Sequence, residues 1–421
     1  MNSVETEILI VGGGAAGLAA AVAASDKNVT IVDDNPRLGG QIWRGEMGKI
    51  KSPDARRLID SIDEECVSVL NCMTVFAKTG DNGLLAETRY GVVAMQYEKL
   101  IIATGARERF LPFPGWTLPG VFGAGGLQAL VKSGLSVKNK RIVVAGTGAL
   151  LLAVAEYLKA KGAHVLLIAE QAKASKIRSF GLSLWREPQK LAQAISLQTK
   201  LLGTKYLTDS YVTSADGNGK LESLTVTRNG KQTRIQCDYL ACGFHLVPNI
   251  ELASLLGCDI DVGFVKTDEF QRTSTENIFC AGEPTGIGGV ESSLIEGKIA
   301  GLAASGQMDK ARQYFPRRAK TLEFARRLNE TFALRDELRH LAAAETLVCR
   351  CEDVTFKSLK PYGSWREAKL QTRCGMGPCQ GRVCGAATEF LFDWRVDSAR
   401  PPIFPVRMES LALEQETIDG V

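Results

Sequence analysis

Two stretches of the chain repeat one order of apolar and small residues. Residues 7–12 (EILIVG) form an apolar run that ends in glycine, small residues follow from Ala15 to Ala24 at helical density, and residues 28–32 (NVTIV) form a second apolar run that ends at Asp33. A strand, a helix and a second strand within about 30 residues are the βαβ unit of a parallel sheet. The pattern therefore predicts an α/β fold at the start of the chain.

The same order returns in the middle of the chain. Residues 141–146 (RIVVAG) predict a strand that ends in glycine, residues 150–160 predict a helix, and residues 165–168 predict the partner strand, which ends near Glu170. Each copy continues through the turn residues of an antiparallel meander into a buried strand that ends in glycine. These two later strands are KLIIATG (99–105) and YLACG (239–243). Two copies predict two domains of one plan, one inserted in the other.

The segments after the second copy set the remaining boundaries. A small-residue helix predicted from Leu294 to Ala304 returns the chain to the first fold, and Leu322, Ala325, Leu328 and Phe332 at helical spacing predict one or two amphipathic connector helices. We divide the chain into an N-terminal segment of the first fold (1–115), the second fold (116–250), a returning segment of the first fold (251–308), the connector (309–345), a cysteine-rich domain (346–400) and a C-terminal tail (401–421).

Composition and charge exclude several classes of protein. The chain has 421 residues, 45% of them hydrophobic, and a formal net charge of +4, so disorder is excluded and nothing indicates nucleic-acid binding. The acidic N-terminus does not resemble a signal peptide, and no apolar run reaches the length of a membrane span. We expect a cytoplasmic protein, with a peripheral position at the inner membrane as an alternative.

The first glycine turn carries a dinucleotide-binding motif. Residues 12–17 (GGGAAG) fit G-x-G-x-x-G between a predicted strand and a predicted helix, and Asp33 closes the next strand. Gly12 permits the tight turn, Gly14 lets the backbone approach a pyrophosphate, and Gly17 lets helix and strand pack closely. The acid at Asp33 is placed to bind ribose hydroxyls.

The second glycine turn departs from the motif. Gly146 and Gly148 are present, but Leu151 stands where the third glycine is expected, and a leucine there should push the helix away from the strand. Glu170 still suits a ribose diol. The residues leave two hypotheses open: NAD or another adenine nucleotide binds here, or the fold is kept for architecture.

Cysteines are concentrated near the C-terminus. Five of the eleven lie within a short segment: Cys349, Cys351, Cys374, Cys379 and Cys384. An iron–sulfur cluster requires such thiolates, and [2Fe–2S] takes four. Structural zinc is the alternative, although the C-x-C opening fits its usual C-x₂₋₄-C spacing less well. Spacing alone does not choose four of the five.

Several stretches resemble the flavoprotein disulfide reductase superfamily, namely Gly39-Gly40-Gln41, Ala103-Thr104-Gly105 and residues 277–283 (NIFCAGE). The resemblance implies two dinucleotide-binding domains with FAD in the first. It assigns the FAD contacts to Gly12, Gly14, Ala15, Ala16, Gly17, Asp33, Asp34, Gly40, Gln41, Arg44, Ala103, Thr104, Gly105, Gly282 and Glu283. Residues 41–44 (QIWR) stand where those reductases carry redox cysteines, so a thiol–disulfide reductase is not expected.

The cysteine segment resembles the [2Fe–2S] domain of bacterioferritin-associated ferredoxin. Residues 372–377 (TRCGMG) match the turn that precedes the last ligands of that motif. The resemblance implies four ligands, with Cys374 as the spare thiol. These ligands are Cys349, Cys351, Cys379 and Cys384.

Nearly the whole chain is similar to the α subunits of heteromeric amino-acid and opine dehydrogenases, including hydrogen cyanide synthase. The most distinctive matches are residues 33–42, 103–116, 349–353 and 373–382. The resemblance implies an electron-transfer subunit of an FAD-dependent oxidoreductase that acts on CH–NH donors. A β subunit resembling D-amino-acid oxidase would oxidise the substrate, and a small ferredoxin-like γ subunit is a further expected partner.

The substrate and the secondary cofactors are expectations from the same resemblance. D-hydroxyproline is our first choice of substrate and an opine our second, while an NADH-dependent flavin:acceptor oxidoreductase is the alternative function. NAD and ATP are the candidate ligands of the second fold, at Gly146, Gly148 and Glu170, if that fold binds a nucleotide, and FMN is a candidate cofactor at a subunit interface. No catalytic residue is assigned, because the three histidines, His164, His245 and His340, are interpreted as structural.

Overall fold

The computed structural model describes residues 2–45, 50, 52–396 and 399–412. The chain forms two compact units. The first comprises Met1–Arg107, Pro248–Ala325 and Asp397–Val421, and the second comprises Glu108–Val247 and Arg326–Val396. Of the C-terminal tail predicted at 401–421, residues 413–421 lie outside the described residues.

The strands are numbered in chain order. They are β1 (Asn2–Val11), β2 (Val29–Asp33), β3 (Val67–Asn71), β4 (Thr74–Thr79), β5 (Gly83–Thr88), β6 (Gly91–Ile102), β7 (Ala106–Glu108), β8 (Val121–Gly123), β9 (Arg141–Thr147), β10 (His164–Glu170), β11 (Lys205–Leu207), β12 (Ser210–Asp216), β13 (Ser223–Arg228), β14 (Lys231–Gln236), β15 (Tyr239–Phe244), β16 (Leu246–Pro248), β17 (Ile260–Asp261), β18 (Phe264–Val265), β19 (Ile278–Cys280), β20 (Leu347–Cys349) and β21 (Val354–Thr355).

The α-helices are numbered in the same way. They are α1 (Ala15–Ala23), α2 (Gly40–Trp43), α3 (Pro53–Asp60), α4 (Ala124–Lys132), α5 (Ala149–Ala160), α6 (Ala174–Ser183), α7 (Pro188–Lys200), α8 (Glu251–Leu255), α9 (Gly289–Ala304), α10 (Met308–Arg312), α11 (Phe315–Thr331), α12 (Phe356–Leu359), α13 (Trp365–Thr372) and α14 (Cys384–Phe392). Short 3₁₀ helices lie at Leu184–Arg186, Glu283–Thr285 and Asp336–His340.

The first unit is built on a seven-stranded sheet. Its order is β3-β2-β1-β6-β5-β4, and β19 also pairs with β6. Strands β1, β2, β3 and β19 run parallel to their neighbours, while β4, β5 and the first half of β6 form the predicted antiparallel meander. β1 begins at Asn2, earlier than the predicted strand, because residues 2–6 pair with residues 93–97 of the long strand β6.

The second unit contains the other predicted nucleotide fold. Its five-stranded parallel sheet has the order β11-β10-β9-β15-β8, and β12, β13 and β14 form a separate antiparallel sheet. Helices α4 and α5 pack on one face of the parallel sheet through a core that includes Leu127, Leu151 and Leu158. The cysteine segment belongs to this unit and has its own small core around Trp365 and Trp394. The predicted architecture with two dinucleotide folds is therefore confirmed.

Among the described residues, no helix is both long enough and apolar enough to cross a lipid bilayer.

Helices α1 and α9 cross at a distance that only glycine permits. A Cβ atom on Gly297 would lie 2.1 Å from the carbonyl oxygen of Ala16, and one on Gly301 would lie 2.2 Å from that of Ala20. Both distances are far inside van der Waals contact. The small residues of the two helices therefore hold α1 and α9 at a fixed separation beneath the sheet.

The α1–α9 crossing gives a first prediction. Gly301→Ala should lower the free energy of unfolding by about 1–3 kcal/mol, because the backbone of α1 must move to admit a methyl group. The matched control is Gly181→Ala in α6, where an added Cβ meets no atom within 4 Å. The control should be neutral or raise stability by up to about 1 kcal/mol. Equal denaturant midpoints for the two variants would contradict the packing argument.

Candidate cofactor sites

The parallel strands of the first unit end in one row. Val11 pairs with both Val32 and Ile102, and Ile102 pairs with Cys280. The residues that follow these ends, which include Gly12, Ala103 and Gly282, are consequently brought to one edge of the sheet. In open parallel sheets, ligands bind in the crevice outside this edge.

The glycine loop after β1 is shaped as the motif requires. Gly12 has a φ of +111°, and a Cβ there would lie 2.2 Å from the carbonyl oxygen of Ala103. A Cβ on Gly17 would lie 1.8 Å from the carbonyl oxygen of Gly12. The loop leads directly into α1, whose N-cap Gly14 has no side-chain hydrogen bond. The N–H groups of Ala15, Ala16 and Gly17 therefore remain available to an anion at the helix N-terminus.

Asp33 is held beside this loop. Its Oδ2 accepts from the N–H of Gly13 at 2.6 Å, and its Oδ1 accepts from the N–H of Asn35 at 2.7 Å. Arg44 donates to the side-chain oxygen of Asn35, so it joins the same network. Asp34 is exposed next to this group, which leaves its carboxylate accessible to a ligand.

The second glycine pair closes over the first loop. The N–H of Gly39 donates to the carbonyl of Gly13 at 2.8 Å, and Gly39 and Gly40 have φ values of +113° and +56°. A Cβ on Gly40 would lie 3.0 Å from the Cα of Gly14. Gln41 follows in α2 with its side chain exposed.

A buried ion pair fixes the turn at Gly282. Glu296 of α9 accepts from the N–H of Gly282 at 3.0 Å and from Thr285 Oγ1 at 2.8 Å, and its other oxygen lies 3.2 Å from Arg318 Nε. Sequence reasoning missed Glu296 and Arg318. The sequence signal for Glu296 was that it is the single acid in the small-residue stretch 294–304.

Glu283 has an unsatisfied buried oxygen. Its Oε1 accepts from the N–H of Gly289 at 3.0 Å, whereas Oε2 is buried without a hydrogen-bond partner. Burial raises the pKa of this carboxyl from 4.5 to about 7. A buried acceptor without a donor is costly, so this atom indicates a missing hydroxyl or N–H donor. With the glycine loop, Asp33 and the Gly39–Gly40 turn, it fits the phosphates and sugar-like hydroxyls of FAD.

Thr104 and Gly105 complete this edge. Thr104 Oγ1 donates to the carbonyl of Asn249 at 2.6 Å, and Asn249 Nδ2 returns a bond to the carbonyl of Thr104 at 2.9 Å. The carbonyl of Gly105 accepts from the N–H of Asn249. The strand end at Ala103 is thereby held rigidly beside Gly12.

The acid of the second fold is buried among its own neighbours. Glu170 is 0% exposed and accepts from Thr147 Oγ1 at 2.9 Å and from the N–H groups of Gly148 and Ala172, each at 2.8 Å. Burial raises its pKa to about 7. Gly146 has the close approach expected of the motif, since a Cβ there would lie 1.9 Å from the carbonyl oxygen of Gly243. Leu151 is fully buried in the core.

The five C-terminal cysteines gather in the second unit. The Sγ atoms of Cys349, Cys374 and Cys384 lie within 4.8 Å of one another, and all three residues are buried. Cys379 is in hydrogen-bond contact with Cys384 and also with Cys351, whose side chain is exposed. The structure thus brings together the four predicted ligands and also Cys374.

Two of these thiols are poised as thiolates. Hydrogen bonds from Cys374 and Cys384 and from the N–H groups of Gly375 and Glu352 lower the pKa of Cys349 to about 2. Cys384 and nearby backbone N–H groups lower the pKa of Cys379 to about 5. The same contacts raise the pKa of Cys384 and Cys374, so these neighbouring thiols share protons in the absence of a metal. Thiolate sulfur is the ligand of iron–sulfur clusters, so the residue types of this group suit one.

Glycines allow the loop to fold around the thiols. A Cβ on Gly377 would lie 2.3 Å from the Cβ of Cys351, and one on Gly375 would lie 2.5 Å from the ring of Trp365. Trp116 Nε1 donates to the carbonyl of Leu347 at 2.6 Å, which attaches the start of the segment to the nucleotide fold of the same unit.

The three histidines belong to the second unit. His164 and His340 are exposed, and His245 Nε2 is 2.7 Å from the carbonyl oxygen of Phe332 within the second unit. Burial lowers the pKa of His245, which keeps the ring neutral near pH 7.

Known proteins with similar sequences include subunits of hydrogen cyanide synthase and opine oxidase. The chain is 31% identical to hydrogen cyanide synthase subunit HcnB of Pseudomonas protegens over 419 residues, covering 89% of each protein. It is 29% identical to an opine oxidase subunit of Rhizobium meliloti, covering 96% of this chain and 87% of that protein. The resemblance to these subunits predicted from sequence is confirmed.

The fold has a counterpart among solved structures. The crystal structure of L-proline dehydrogenase from P. horikoshii matches with a TM-score of 0.69 at 18% identity, covering 97% of this chain and 80% of that one. The family model for pyridine nucleotide-disulphide oxidoreductases matches residues 6–301. The chain therefore belongs to the pyridine nucleotide-disulphide oxidoreductase family.

Proposed function

We propose that the chain is the electron-transfer subunit of a heteromeric dehydrogenase that oxidises a cyclic imino acid or an amino acid. D-hydroxyproline is the first candidate substrate, and an opine is the second. The observation that carries the proposal is the group of thiols at Cys349, Cys374 and Cys384, which Cys379 and Cys351 join through their own contacts, in a chain that also holds a cradle suited to FAD. When bound, FAD supplies two-electron acceptance and a [2Fe–2S] cluster supplies one-electron transfer.

In this proposal the residues of the first unit bind and orient FAD. The N–H groups at the start of α1 hold the pyrophosphate, and the pair Asp33 and Asp34 binds ribose hydroxyls. Glu283 Oε2 accepts from a hydroxyl of the ribityl chain, which satisfies its buried oxygen. Glu296 and Arg318 position that carboxylate by fixing the Gly282 turn.

The thiols of the second unit are assigned to the cluster in two pairs. We assign Cys349 and Cys384 to one pair and Cys351 and Cys379 to the other. The contact between Cys351 and Cys379 supports the second pair, and the Sγ atom of Cys374 lies within 4.8 Å of both members of the first. A [2Fe–2S] cluster needs two thiolates for each iron, so two pairs fit it. Cys374 is left as a neighbour of the first pair.

Substrate oxidation is assigned to a partner subunit. All three histidines belong to the second unit, and the hydrogen cyanide synthase and opine oxidase relatives are themselves named as subunits. A β subunit resembling D-amino-acid oxidase is the expected partner. A ferredoxin-like γ subunit is the expected third component.

A dye-reduction assay tests the proposed function. The chain copurified with the products of neighbouring genes should reduce an artificial electron acceptor with D-hydroxyproline or an opine, because the partner supplies the substrate site. The chain alone should be inactive with the same compounds. Activity of the complex with NADH but with no imino or amino acid would overturn the proposal in favour of an NADH-dependent flavin:acceptor oxidoreductase.

Cysteine variants test the ligand assignment. Cys351→Ala and Cys379→Ala should abolish the visible absorption and the reduced-state EPR signal of the cluster, because each removes one of four ligands. Cys374→Ala should retain both signals, and the exposed Cys72→Ala is the control for a general effect of removing a thiol. Loss of the cluster in Cys374→Ala, with retention in Cys351→Ala, would show that the ligand set is wrong.

Glu283 variants test the FAD cradle. Glu283→Ala should weaken FAD binding by about 10- to 100-fold, the effect of losing a hydrogen bond to a charged group. The control is Glu291→Ala, which removes a partly exposed carboxylate in the first turn of α9 that pairs with Arg317. Unchanged FAD affinity in Glu283→Ala would remove this residue from the site.

The pH dependence of the apoprotein provides a second readout. A pKa raised to about 7 in the folded state means that the folded protein retains a proton that the unfolded chain releases near 4.5. Stability from this group is therefore full at low pH and is lost as the pH rises through about 5 to 8. The melting temperature should fall less steeply over this range in Glu283→Gln than in the wild type.

A further inference from the structure

The chain that follows α11 lies across the second nucleotide fold. The carbonyl oxygen of Phe332 is 3.0 Å from Thr147 Oγ1, 2.7 Å from His245 Nε2 and 3.4 Å from Gln171 Nε2. Thr147 is the last residue of β9, and Gln171 and His245 directly follow β10 and β15. These three strands are neighbours in the parallel sheet, so one backbone carbonyl is bound from three adjacent strand ends.

Residues 332–335 are anchored by further contacts. Gln171 Nε2 also donates to the carbonyl of Ala333 at 3.1 Å, and its Oε1 accepts from the N–H of Arg335 at 3.2 Å. The side chain of Phe332 is 7% exposed and meets the ring of Phe180 edge to face, with centroids 6.1 Å apart. The backbone of the segment and the side chain of Phe332 are thus fixed against the fold.

This position is the crevice where a nucleotide would bind. In doubly wound sheets the adenine and ribose lie outside the carboxyl ends of adjacent parallel strands, beside the acid that closes the second strand. Here that acid, Glu170, is buried and accepts three hydrogen bonds, as Asp33 also does in the first fold, so the acid by itself does not distinguish the two folds. The side chain after it, Gln171, is engaged by the segment on both its amide nitrogen and its oxygen.

The first fold differs in this respect. Its candidate site retains a buried acceptor without a partner, Glu283 Oε2, and an exposed carboxylate at Asp34. In the second fold Thr147, Glu170, Gln171 and His245, at the equivalent edge, bind one another or residues 332–335. The first fold therefore has polar groups that suit an external ligand, whereas the corresponding groups of the second fold bind the chain itself.

We infer that residues 332–335 permanently occupy the nucleotide crevice of the second fold, so that this fold binds neither pyridine nor adenine nucleotides. The strand ends at Thr147, Gln171 and His245, where a ribose would otherwise bind, instead anchor the connector between α11 and the cysteine segment. The inference is independent of the substrate and partner proposed above. It implies that NADH does not deliver electrons to the chain through this fold.

Nucleotide binding and hydrogen exchange together test the inference. The FAD-loaded full chain is mixed with NADH, NAD⁺ or ATP, and binding is followed by fluorescence and thermal shift up to about 1 mM, a concentration at which even weak sites fill. We expect no saturable binding, and we expect slow amide exchange in the peptide covering residues 331–335 with or without nucleotide. Saturable binding accompanied by faster exchange in that peptide would overturn the inference and make the segment a displaceable lid.

A variant that loosens the segment supplies the second arm. Thr147→Val combined with Gln171→Leu removes the bonds that these two side chains make with Phe332, Ala333 and Arg335 and leaves that of His245 with Phe332, so the 331–335 peptide should exchange faster than in the wild type. The matched control is Thr227→Val, which removes a buried hydroxyl that bonds Thr213 in the same unit. Equal exchange of the 331–335 peptide in the double variant and the control would show that these bonds do not hold the segment in place.

Discussion

Close backbone contacts that only glycine allows determine the candidate FAD edge of the first unit. Gly17 permits α1 to start against the carbonyl of Gly12, and Gly301 permits α9 to cross α1 at the carbonyl of Ala20. The crossing fixes α9, and α9 carries Glu296, which binds the turn at Gly282. Larger residues at these glycines would prevent this backbone arrangement. The arrangement determines the positions of the helix N-terminus, of Asp33 and of the unsatisfied oxygen of Glu283.

The two nucleotide folds differ in the hydrogen-bond partners of the polar groups at their strand ends. Polar groups at the carboxyl ends of parallel strands need partners when they are buried. In the second copy these partners come from the chain, because Thr147, Gln171 and His245 surround the carbonyl of Phe332. In the first copy Glu283 Oε2 remains unpaired. A buried acceptor without a donor raises the free energy of the folded chain, and a ligand with hydroxyl donors would remove this penalty. This favours FAD in the first unit.

Local features of this molecule were predictable from sequence, and long-range features were not. The glycine loop, Asp33 and the strand ends at Ala103 and Gly282 follow from short motifs whose geometry is set within a few residues. The ion pair of Glu296 with Arg318 joins α9 and α11 and has no spacing signature. Phe332 was recognised only as one apolar position of a helical pattern, yet it lies just beyond α11 and its carbonyl is bound by residues 87 to 185 positions away. Cys374 illustrates a third case, because its place beside Cys349 and Cys384 depends on how the loop folds around Trp365.

The most direct test of an electron-transfer role is the time course of cluster reduction. The complex with its partner subunit is mixed anaerobically with D-hydroxyproline or an opine, frozen at intervals, and examined by EPR for the reduced [2Fe–2S] signal and by absorbance for the flavin. The proposed function predicts that both centres are reduced within one turnover by substrate, and that NADH reduces neither. A cluster that stays oxidised while substrate is consumed, or one that NADH reduces at the same rate, would contradict it.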